Sequence, residues 1–182
     1  MTWIWIVVAL VVLLGLGVLI YNRLVQARNR VDNAWGQVDV QLKRRYDLIP
    51  NLVETVQGYA SHEQATLEAV TEARAAAQAA SGPAEQAQAE NALTGALRQL
   101  FALAEAYPEL RAAPNFADLQ TQLSDTENRI SVSRQIYNDS VLSYNNAVQT
   151  VPTNLVAGLG GFKVRPYFEA DERADEPPAV QF

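Results

Sequence analysis

The chain has 182 residues, enough for one domain with accessory segments. Because it contains no cysteine, disulfides, thiolate chemistry and cysteine-ligated iron–sulfur clusters are excluded. Its single histidine, His62, leaves little scope for a histidine-ligated metal. Ala, Gln, Leu and Val are abundant and aromatics make up 8%, a profile typical of a helical protein. The net charge of −6 combines a basic region through Arg45, with six Lys or Arg against two Asp, and an acidic remainder with eight against eighteen, which argues against a general nucleic-acid binder.

The first predicted element is a transmembrane helix within residues 1–21. Trp3 to Tyr21, WIWIVVALVVLLGLGVLIY, contains 19 residues without a charge, and as a helix it spans about 28 Å, roughly one hydrocarbon core. Trp3 and Trp5 at one end and Tyr21 at the other suit the two membrane interfaces. A cleaved signal peptide needs a basic start, a shorter apolar run and small residues at a cleavage site, so we expect a retained single-pass anchor.

The cations beside the span predict its orientation. Arg23, Arg28 and Arg30 follow the span closely, whereas no Lys or Arg precedes it. Cytoplasmic flanks of membrane helices carry an excess of Lys and Arg. We therefore expect the N-terminus outside the cell and the body in the cytoplasm, with Arg23 at the membrane interface.

Residues 22–80 carry an apolar pattern of helical period that contains Pro50. The inward positions of one heptad frame are Val31, Trp35, Val38, Leu42, Ile49, Leu52, Val56 and Tyr59, with Arg45 the main exception. Two interpretations are open: the helix continues through a kink, or the chain reverses around residues 46–50 and Pro50 enters the first turn of a new helix. The continuous heptad phase favours a kink, but reversal gives four segments of comparable length, and we favour reversal.

Three adjacent cations, Lys43, Arg44 and Arg45, precede the proline. On a straight helix they lie about 33 Å beyond Tyr21, whereas the Debye length is about 8 Å, so anionic lipid is a poor partner. We predict that they bind an acidic protein partner, or the acidic tail of a neighbouring copy, at the far tip of the body. A solvated surface is the alternative.

Two further long helices are predicted. One runs from about Pro83 to Tyr107 after a stop at Ser81-Gly82-Pro83, and the last ends before Pro152. Their inward residues are Leu93, Leu97, Leu100 and Ala104 in the first, and Phe116, Leu119, Leu123, Ile130, Tyr137, Val141, Tyr144 and Val148 in the last. Because no helix of the body is apolar all round, we predict an all-α fold, with an up-and-down antiparallel four-helix bundle over residues 22–151 and coiled-coil-like packing.

Residues 152–168 form a glycine-rich segment, TNLVAGLGGFKVRPYF after Pro152. Its glycines follow no strand and match no phosphate-binding pattern, so we predict a short amphipathic element. If the chain reverses at Pro50, this segment returns to the bilayer and places Leu155, Leu159 and Phe162 in the interface. A kinked helix is expected to leave it far from the bilayer.

The chain ends in EADERADEPPAVQF, residues 169–182, for which we predict an extended acidic tail that contains two prolines. Val180 and Phe182 restore apolar side chains at its end, and we predict that they bind a partner. Packing of this end on the chain's own helices is the alternative.

No motif points to catalysis. HEQAT, which starts at His62, lacks the second histidine of a zinc-protease helix, and no Glu has a histidine three residues later as in di-iron bundles. A hydrolase nucleophile elbow is also missing. We therefore expect no enzyme activity, no catalytic residues, no cofactor, no metal and no small-molecule substrate.

Three stretches carry a resemblance to a known family. They are YNRLVQARNRVDNAWGQVDVQLKRRYDLIPNLVETVQGYASHE, SYNNAVQTVPTNLVAGLGGFKVRPYFEADE and the PPAVQF end. Together they resemble the LemA family of bacterial membrane proteins over nearly the whole chain. The resemblance implies an anchor in the bacterial inner membrane followed by a four-helix bundle, no assumed enzyme activity and no catalytic residues. It also implies, by analogy with a magnetosome-membrane branch, a link to membrane organisation.

Two functional hypotheses follow from the sequence. The first is a membrane-anchored, non-enzymatic scaffold that assembles with itself or with other envelope proteins, with the lipid bilayer and no nucleic acid among its partners. The second is a membrane-bound adaptor or regulator that recognises client proteins for a membrane protease or a signalling system. Changing clients favour the adaptor, and one stoichiometric neighbour favours the scaffold.

Overall fold

The computed structural model describes residues 2–169, and in that range the chain is all-helical. The helices, in chain order, are α1 (Thr2–Tyr59), α2 (Gln64–Ala79), α3 (Gly82–Ala104), α4 (Pro108–Arg111), α5 (Pro114–Gln149) and α6 (Thr153–Leu159). The predicted all-α class is confirmed. The predicted count of four helices is not, because α4 and α6, of 4 and 7 residues, add two short helices to the long ones.

The helices divide between two compact units. The anchor unit comprises Met1–Gln37 and Gln135–Pro166, and the hairpin unit comprises Val38–Arg134 and Tyr167–Phe182. Helices α1 and α5 each contribute one part to each unit.

The reversal predicted at residues 46–50 is wrong, because α1 continues through Pro50 and ends at Tyr59. Proline has no N–H, so it cannot donate to the carbonyl four residues earlier, which belongs to Tyr46. Arg74 of α2 replaces that donor, since its Nε donates to the Tyr46 carbonyl at 2.8 Å. The chain reverses at residues 60–63 instead, between α1 and α2.

Burial on α1 follows the heptad frame, including its exception. Val31, Val38, Leu42, Ile49, Leu52 and Val56 are buried, and so is Arg45, which lies on the same inward face. Trp35 is half-buried and Tyr59 is exposed. The uninterrupted phase was therefore the better indicator of a continuous helix than the proline was of a break.

In the hairpin unit, α2 and α3 form an antiparallel helix pair. α2 ends at Ala79 and α3 begins at Gly82 with Pro83 in its first turn, as the Ser81-Gly82-Pro83 signal predicts. Gly82 has a positive φ of 81°, which a residue with a side chain rarely adopts. The core of the unit is formed by the inward residues of these helices with parts of α1 and α5. It includes Leu67 and Val70 of α2; Leu93, Leu97, Leu100 and Ala104 of α3; and Phe116, Leu119, Leu123 and Ile130 of α5.

In the anchor unit, α1 and α5 run antiparallel. Trp35 packs its ring 5.2 Å from the ring of Tyr137, and Ala27 lies beside Ser143 in one groove, so the two helices advance in opposite directions. The core of the unit contains Leu24, Ala27, Val31, Ala34, Tyr137, Val141, Tyr144, Ala157 and Phe162. A turn that contains a cis Val151–Pro152 peptide links α5 to α6.

Candidate functional site

The N-terminal part of α1 is an uncovered apolar helix. The most apolar 18-residue stretch of α1 has a mean hydropathy of 2.9, and none of it is buried against the other described residues. Trp3 and Trp5 lie exposed near its start, and Tyr21 and Arg23 lie exposed where the apolar run ends. Within residues 2–169, α1 is the one helix whose length and composition suit a membrane span.

The segment after α6 packs against the end of this apolar run. The ring of Phe162 meets the ring of Tyr21 edge-on at 5.4 Å, and the Arg28 guanidinium lies 5.4 Å from the Phe162 ring centre. Gly160 fits here because it has no side chain: a Cβ would lie 2.7 Å from the Phe162 ring and 3.2 Å from Tyr21. The segment therefore lies beside Tyr21, at the end of the apolar run, although α1 does not reverse. A continuous α1 thus does not separate the segment from that end of the run. The return comes from α5, which runs back along α1 in this unit.

Helix α6 presents an apolar surface to the outside. Leu155 is 67% exposed and Leu159 is 92% exposed, while Ala157 is buried on the opposite side. Val151, just before the helix, is 78% exposed. Phe162, which the sequence placed with Leu155 and Leu159 in the interface, is instead buried and holds the segment on α1.

Residues 162–166, which follow Gly161 and have no regular secondary structure, lie against α1 and α5 of the anchor unit; we call them the strap. Asn145 of α5 pairs with the Arg165 backbone through both of its amide atoms: Nδ2 donates to the Arg165 carbonyl at 2.9 Å and Oδ1 accepts the Arg165 N–H at 2.8 Å. The Tyr137 hydroxyl donates to the Pro166 carbonyl at 2.9 Å. Arg165 also forms an ion pair with Asp32 of α1 at 3.1 Å. Burial raises the pKa of Tyr137, so its hydroxyl keeps its proton and remains a donor.

The hairpin unit contains a buried charge network that the sequence did not reveal. Arg45 is 4% exposed, and its Nη1 lies 3.0 Å from Glu90 Oε2 and 3.1 Å from Glu127 Oε2. Its Nη2 donates to the Thr94 hydroxyl at 2.8 Å. One guanidinium of α1 thus contacts both α3 and α5. The signal for it was the position of Arg45 on the inward heptad face.

Tyr46 and Gln86 complete this network. The Tyr46 hydroxyl donates to Glu90 Oε1, and Gln86 Nε2 donates to the Tyr46 hydroxyl at 2.8 Å and to the Ala77 carbonyl at 3.0 Å. Burial raises the pKa of Glu90, and the hydrogen bond from Tyr46 and the Arg45 charge oppose that rise. Burial likewise raises the pKa of Tyr46. Because these groups satisfy one another's hydrogen-bonding capacity, the network is suited to fixing the register of the helices.

The predicted partner-binding residues separate in the structure. Lys43 and Arg44 are exposed on α1, whereas Arg45 faces inward and its guanidinium is engaged by Glu90. Of the three cations, only Lys43 and Arg44 are therefore exposed to a partner at this surface. Val180 and Phe182 lie outside the described residues, as does most of the predicted acidic tail. Among residues 2–169, no cluster of three or more His, Asp or Glu side chains is arranged to hold a metal ion.

Comparison with known proteins gives consistent matches. The model of the LemA family matches residues 34–182. Protein LemA of Metamycoplasma hominis is 28% identical over 140 residues, which cover 75% of this chain and 63% of that protein. Magnetosome protein MamQ of Magnetospirillum gryphiswaldense is 34% identical over 89 residues, 49% of this chain and 33% of that protein. Magnetosome protein MamQ 2 of Paramagnetospirillum magneticum is 32% identical over 89 residues. The chain thus spans about a third of the MamQ proteins and just under two thirds of the LemA relative.

Proposed function

Because this chain belongs to the LemA family, we propose that it is a membrane-anchored, non-enzymatic scaffold that assembles with itself or with other envelope proteins. The family and the apolar N-terminal helix fit a membrane-anchored protein. The proposed organisation is an anchor (1–21), a helical body (22–151), a glycine-rich segment (152–168) and an acidic tail (169–182).

The continuity of α1 is the observation that carries the proposal. The apolar run passes into the packed part of the anchor unit within one helix, and no linker intervenes between Tyr21 and the first buried residue, Leu24. A helix without a linker transmits position and orientation, whereas a flexible linker would let the body diffuse. This construction suits a protein that holds a fixed place at a membrane.

Further support comes from the chemistry of the body and from its relatives. Among the described residues, the buried carboxylate of Glu90 accepts hydrogen bonds from Arg45, Tyr46 and Gln86. The names of the LemA and MamQ relatives are not enzyme names, and the MamQ proteins are called magnetosome proteins. By analogy with them, we propose a role in organising a bacterial inner membrane, with the body in the cytoplasm because Arg23, Arg28 and Arg30 follow the span.

The assembly state of the purified chain tests this proposal. Light scattering in mild detergent should give a protein mass of at least two copies of the 20.0 kDa chain, or one copy with a stoichiometric membrane partner. A strict monomer without a co-purifying partner contradicts the scaffold function. A changing set of neighbours in proximity labelling points to the adaptor alternative instead.

Two variants locate the contact. A chain that ends at Phe168 removes the acidic tail, and the double variant K43S/R44S removes the exposed cations while retaining the buried Arg45. Loss of assembly in one variant and its retention in the other assigns the contact to the tail or to the cationic surface. If both variants assemble as the parent does, the predicted partner-binding residues are wrong and the contact lies elsewhere.

A further inference from the structure

The anchor unit exposes three large apolar side chains in α6 and in the turn before it, which we call the α6 surface. They are those of Val151, Leu155 and Leu159, which are 78%, 67% and 92% exposed. Leu155 and Leu159 are four residues apart on α6, so their side chains lie on one face of the helix. Isolated exposed leucines are ordinary on a protein surface, but three large apolar side chains in nine residues, on the outside of a packed unit, indicate an interaction surface.

The position of this surface along α1 indicates that its partner is the membrane. Leu159 adjoins Gly160, whose backbone approaches Tyr21 so closely that a Cβ would lie 3.2 Å from the Tyr21 ring. Tyr21 closes the apolar run of α1. Leu159 therefore lies at the level along α1 where the apolar run ends, which is the level of the interface if that run spans the membrane.

The charge around the surface matches a lipid headgroup layer. Exposed cations of the anchor unit lie just after Tyr21 on α1 and just after Gly161 on the strap: Arg23, Arg28, Arg30 and Lys163. The unit holds five Lys or Arg and two Asp among its described residues, and one of those Asp, Asp32, is paired with Arg165. Apolar side chains bordered by cations are the composition of a helix that lies in an anionic membrane interface.

We propose, on the basis of the membrane anchoring proposed above, that α6 is a second membrane contact of this protein. Leu155, Leu159 and Val151 enter the boundary between headgroups and acyl chains next to the end of the span. The neighbouring cations bind anionic headgroups. The bilayer is then held at two places within one packed unit, by a spanning helix and by a short helix lying in the interface, which restrains the tilt and rotation of the unit.

Spin-label depth measurements on the full chain test this proposal. The chain has no cysteine, so Leu155→Cys and Leu159→Cys each carry a single nitroxide. Leu13→Cys reports the span. Leu142→Cys is the matched control, because Leu142 is an exposed leucine of the same unit. Its neighbour Ser143 lies beside Ala27, about 9 Å along α1 from Tyr21, so its label reports a position beyond the end of the apolar run. Each variant is reconstituted in vesicles of phosphatidylcholine, with and without phosphatidylglycerol, and oxygen and nickel-chelate collision rates give the depth.

We expect the labels at 155 and 159 to collide more often with oxygen and less often with the nickel chelate than the label at 142 does. Their depth should lie between those of Leu13→Cys and Leu142→Cys, and it should increase when phosphatidylglycerol is added. If labels at 155 and 159 collide with nickel as often as the label at 142 while Leu13→Cys stays protected, the second contact is wrong and the anchor stands. If Leu13→Cys is also nickel-accessible, the proposed anchoring fails as well. Equal depths with and without phosphatidylglycerol refute the role of anionic headgroups.

Discussion

The anchor unit and the hairpin unit are stabilised by different chemistry. Among their described residues the anchor unit holds five Lys or Arg and two Asp, whereas the hairpin unit holds eight Lys or Arg and fourteen Asp or Glu. The anchor unit leaves large apolar side chains exposed, and its ion pair, Arg165–Asp32, is half exposed, while the neutral amide of buried Asn145 binds the Arg165 backbone. The hairpin unit buries Arg45 and Glu90 in its interior.

The difference assigns a separate task to each unit. A buried ion pair adds little net stability compared with apolar packing, but it penalises every register of the helices in which the two charges do not meet. The helix register of the hairpin unit is thus set by the buried Arg45–Glu90 pair. The anchor unit, with its exposed apolar helix and α6, is suited to contact with an apolar medium.

The largest expected effect comes from removing Glu90 in the hairpin unit. Glu90→Ala leaves the Tyr46 hydroxyl and the Gln86 amide with fewer partners and removes the buried carboxylate that faces the Arg45 guanidinium. Arg45 keeps the half-exposed carboxylate of Glu127, so we expect a loss at or below the low end of the about 3–5 kcal/mol typical of a buried charge left unpaired. We expect the midpoint of chemical denaturation, followed by helical circular dichroism in detergent, to fall accordingly.

A double variant is the control for that prediction. Arg45→Met combined with Glu90→Leu removes both charges together, and apolar replacements of a buried pair are often neutral or stabilising. Its denaturation midpoint should lie closer to the parent than that of Glu90→Ala. If the double variant is less stable than the single one, the network contributes net stability and not only register.

In the anchor unit the corresponding change is Asn145→Ala. It leaves the N–H and the carbonyl of Arg165 without their side-chain partner, and such a loss costs about 1–3 kcal/mol. Hydrogen exchange should accelerate at the Arg165 amide. Asn146→Ala, at the exposed neighbouring position, is the matched control and should leave that amide unchanged. Equal exchange in both variants contradicts the clamping role of Asn145.

An effect of similar size is expected at Gly160, the residue after α6 whose backbone approaches Tyr21. In Gly160→Ala the new Cβ would lie 2.7 Å from the Phe162 ring, so the ring must move, and such overpacking costs about 1–3 kcal/mol where relaxation is limited. Gly158→Ala in the same helix has open space around its Cβ and should be neutral or stabilising by up to about 1 kcal/mol. Thermal denaturation of the two variants checks this; a destabilised Gly158→Ala with an unchanged Gly160→Ala contradicts the packing.

The link between Pro50 and Arg74 gives a smaller effect, measurable in a double-variant cycle. In Pro50→Ala the new N–H can donate to the Tyr46 carbonyl, so that carbonyl no longer depends on the Arg74 Nε. Arg74→Ala should therefore destabilise the parent by about 1 kcal/mol more than it destabilises Pro50→Ala. Additive effects in denaturant titrations would show that the arginine does not replace the missing donor.

A pH slope is the weakest expected effect. Burial raises the folded-state pKa of Glu90 above its ordinary value of 4.5, so the folded chain holds that proton more tightly. The part of the stability that comes from holding this proton is complete below pH 4.5 and is lost as the pH rises through the raised pKa. The difference in unfolding free energy between the parent and Glu90→Gln should thus fall as pH increases. A difference that rises with pH has the opposite sign and contradicts a raised pKa.

Local patterns predicted much of the fold. The apolar N-terminal helix, the inward faces of α3 and α5, and the break at Ser81-Gly82-Pro83 all follow from residues that are near one another in sequence. The reversal at Pro50 was wrong because the residue that makes a continuous helix tolerable, Arg74, lies 24 positions later on another helix. The local conformational preference of proline cannot reveal a hydrogen-bond donor that is distant in sequence.

The candidate sites were harder to predict for the same reason. Arg45 looked like one of three surface cations, yet its partner Glu90 is 45 positions away. Its place on the inward heptad face was the available signal. Leu155, Leu159 and Phe162 were predicted to lie together at the membrane interface. The sequence could not show that Phe162 packs inward on Tyr21, because the antiparallel return of α5 brings these two residues together.

Cysteine accessibility in intact bacteria tests the central claim, a membrane-anchored protein with a cytoplasmic body, most directly. Ser81→Cys places one thiol at an exposed position before α3, and Leu13→Cys places one within the apolar run. A membrane-impermeant maleimide should label Ser81→Cys only after the cells are permeabilised, and Leu13→Cys only after the protein is denatured. Labelling of Ser81→Cys in intact cells contradicts the cytoplasmic body, and labelling of Leu13→Cys in the native protein, as fast as at Ser81, contradicts the anchor itself.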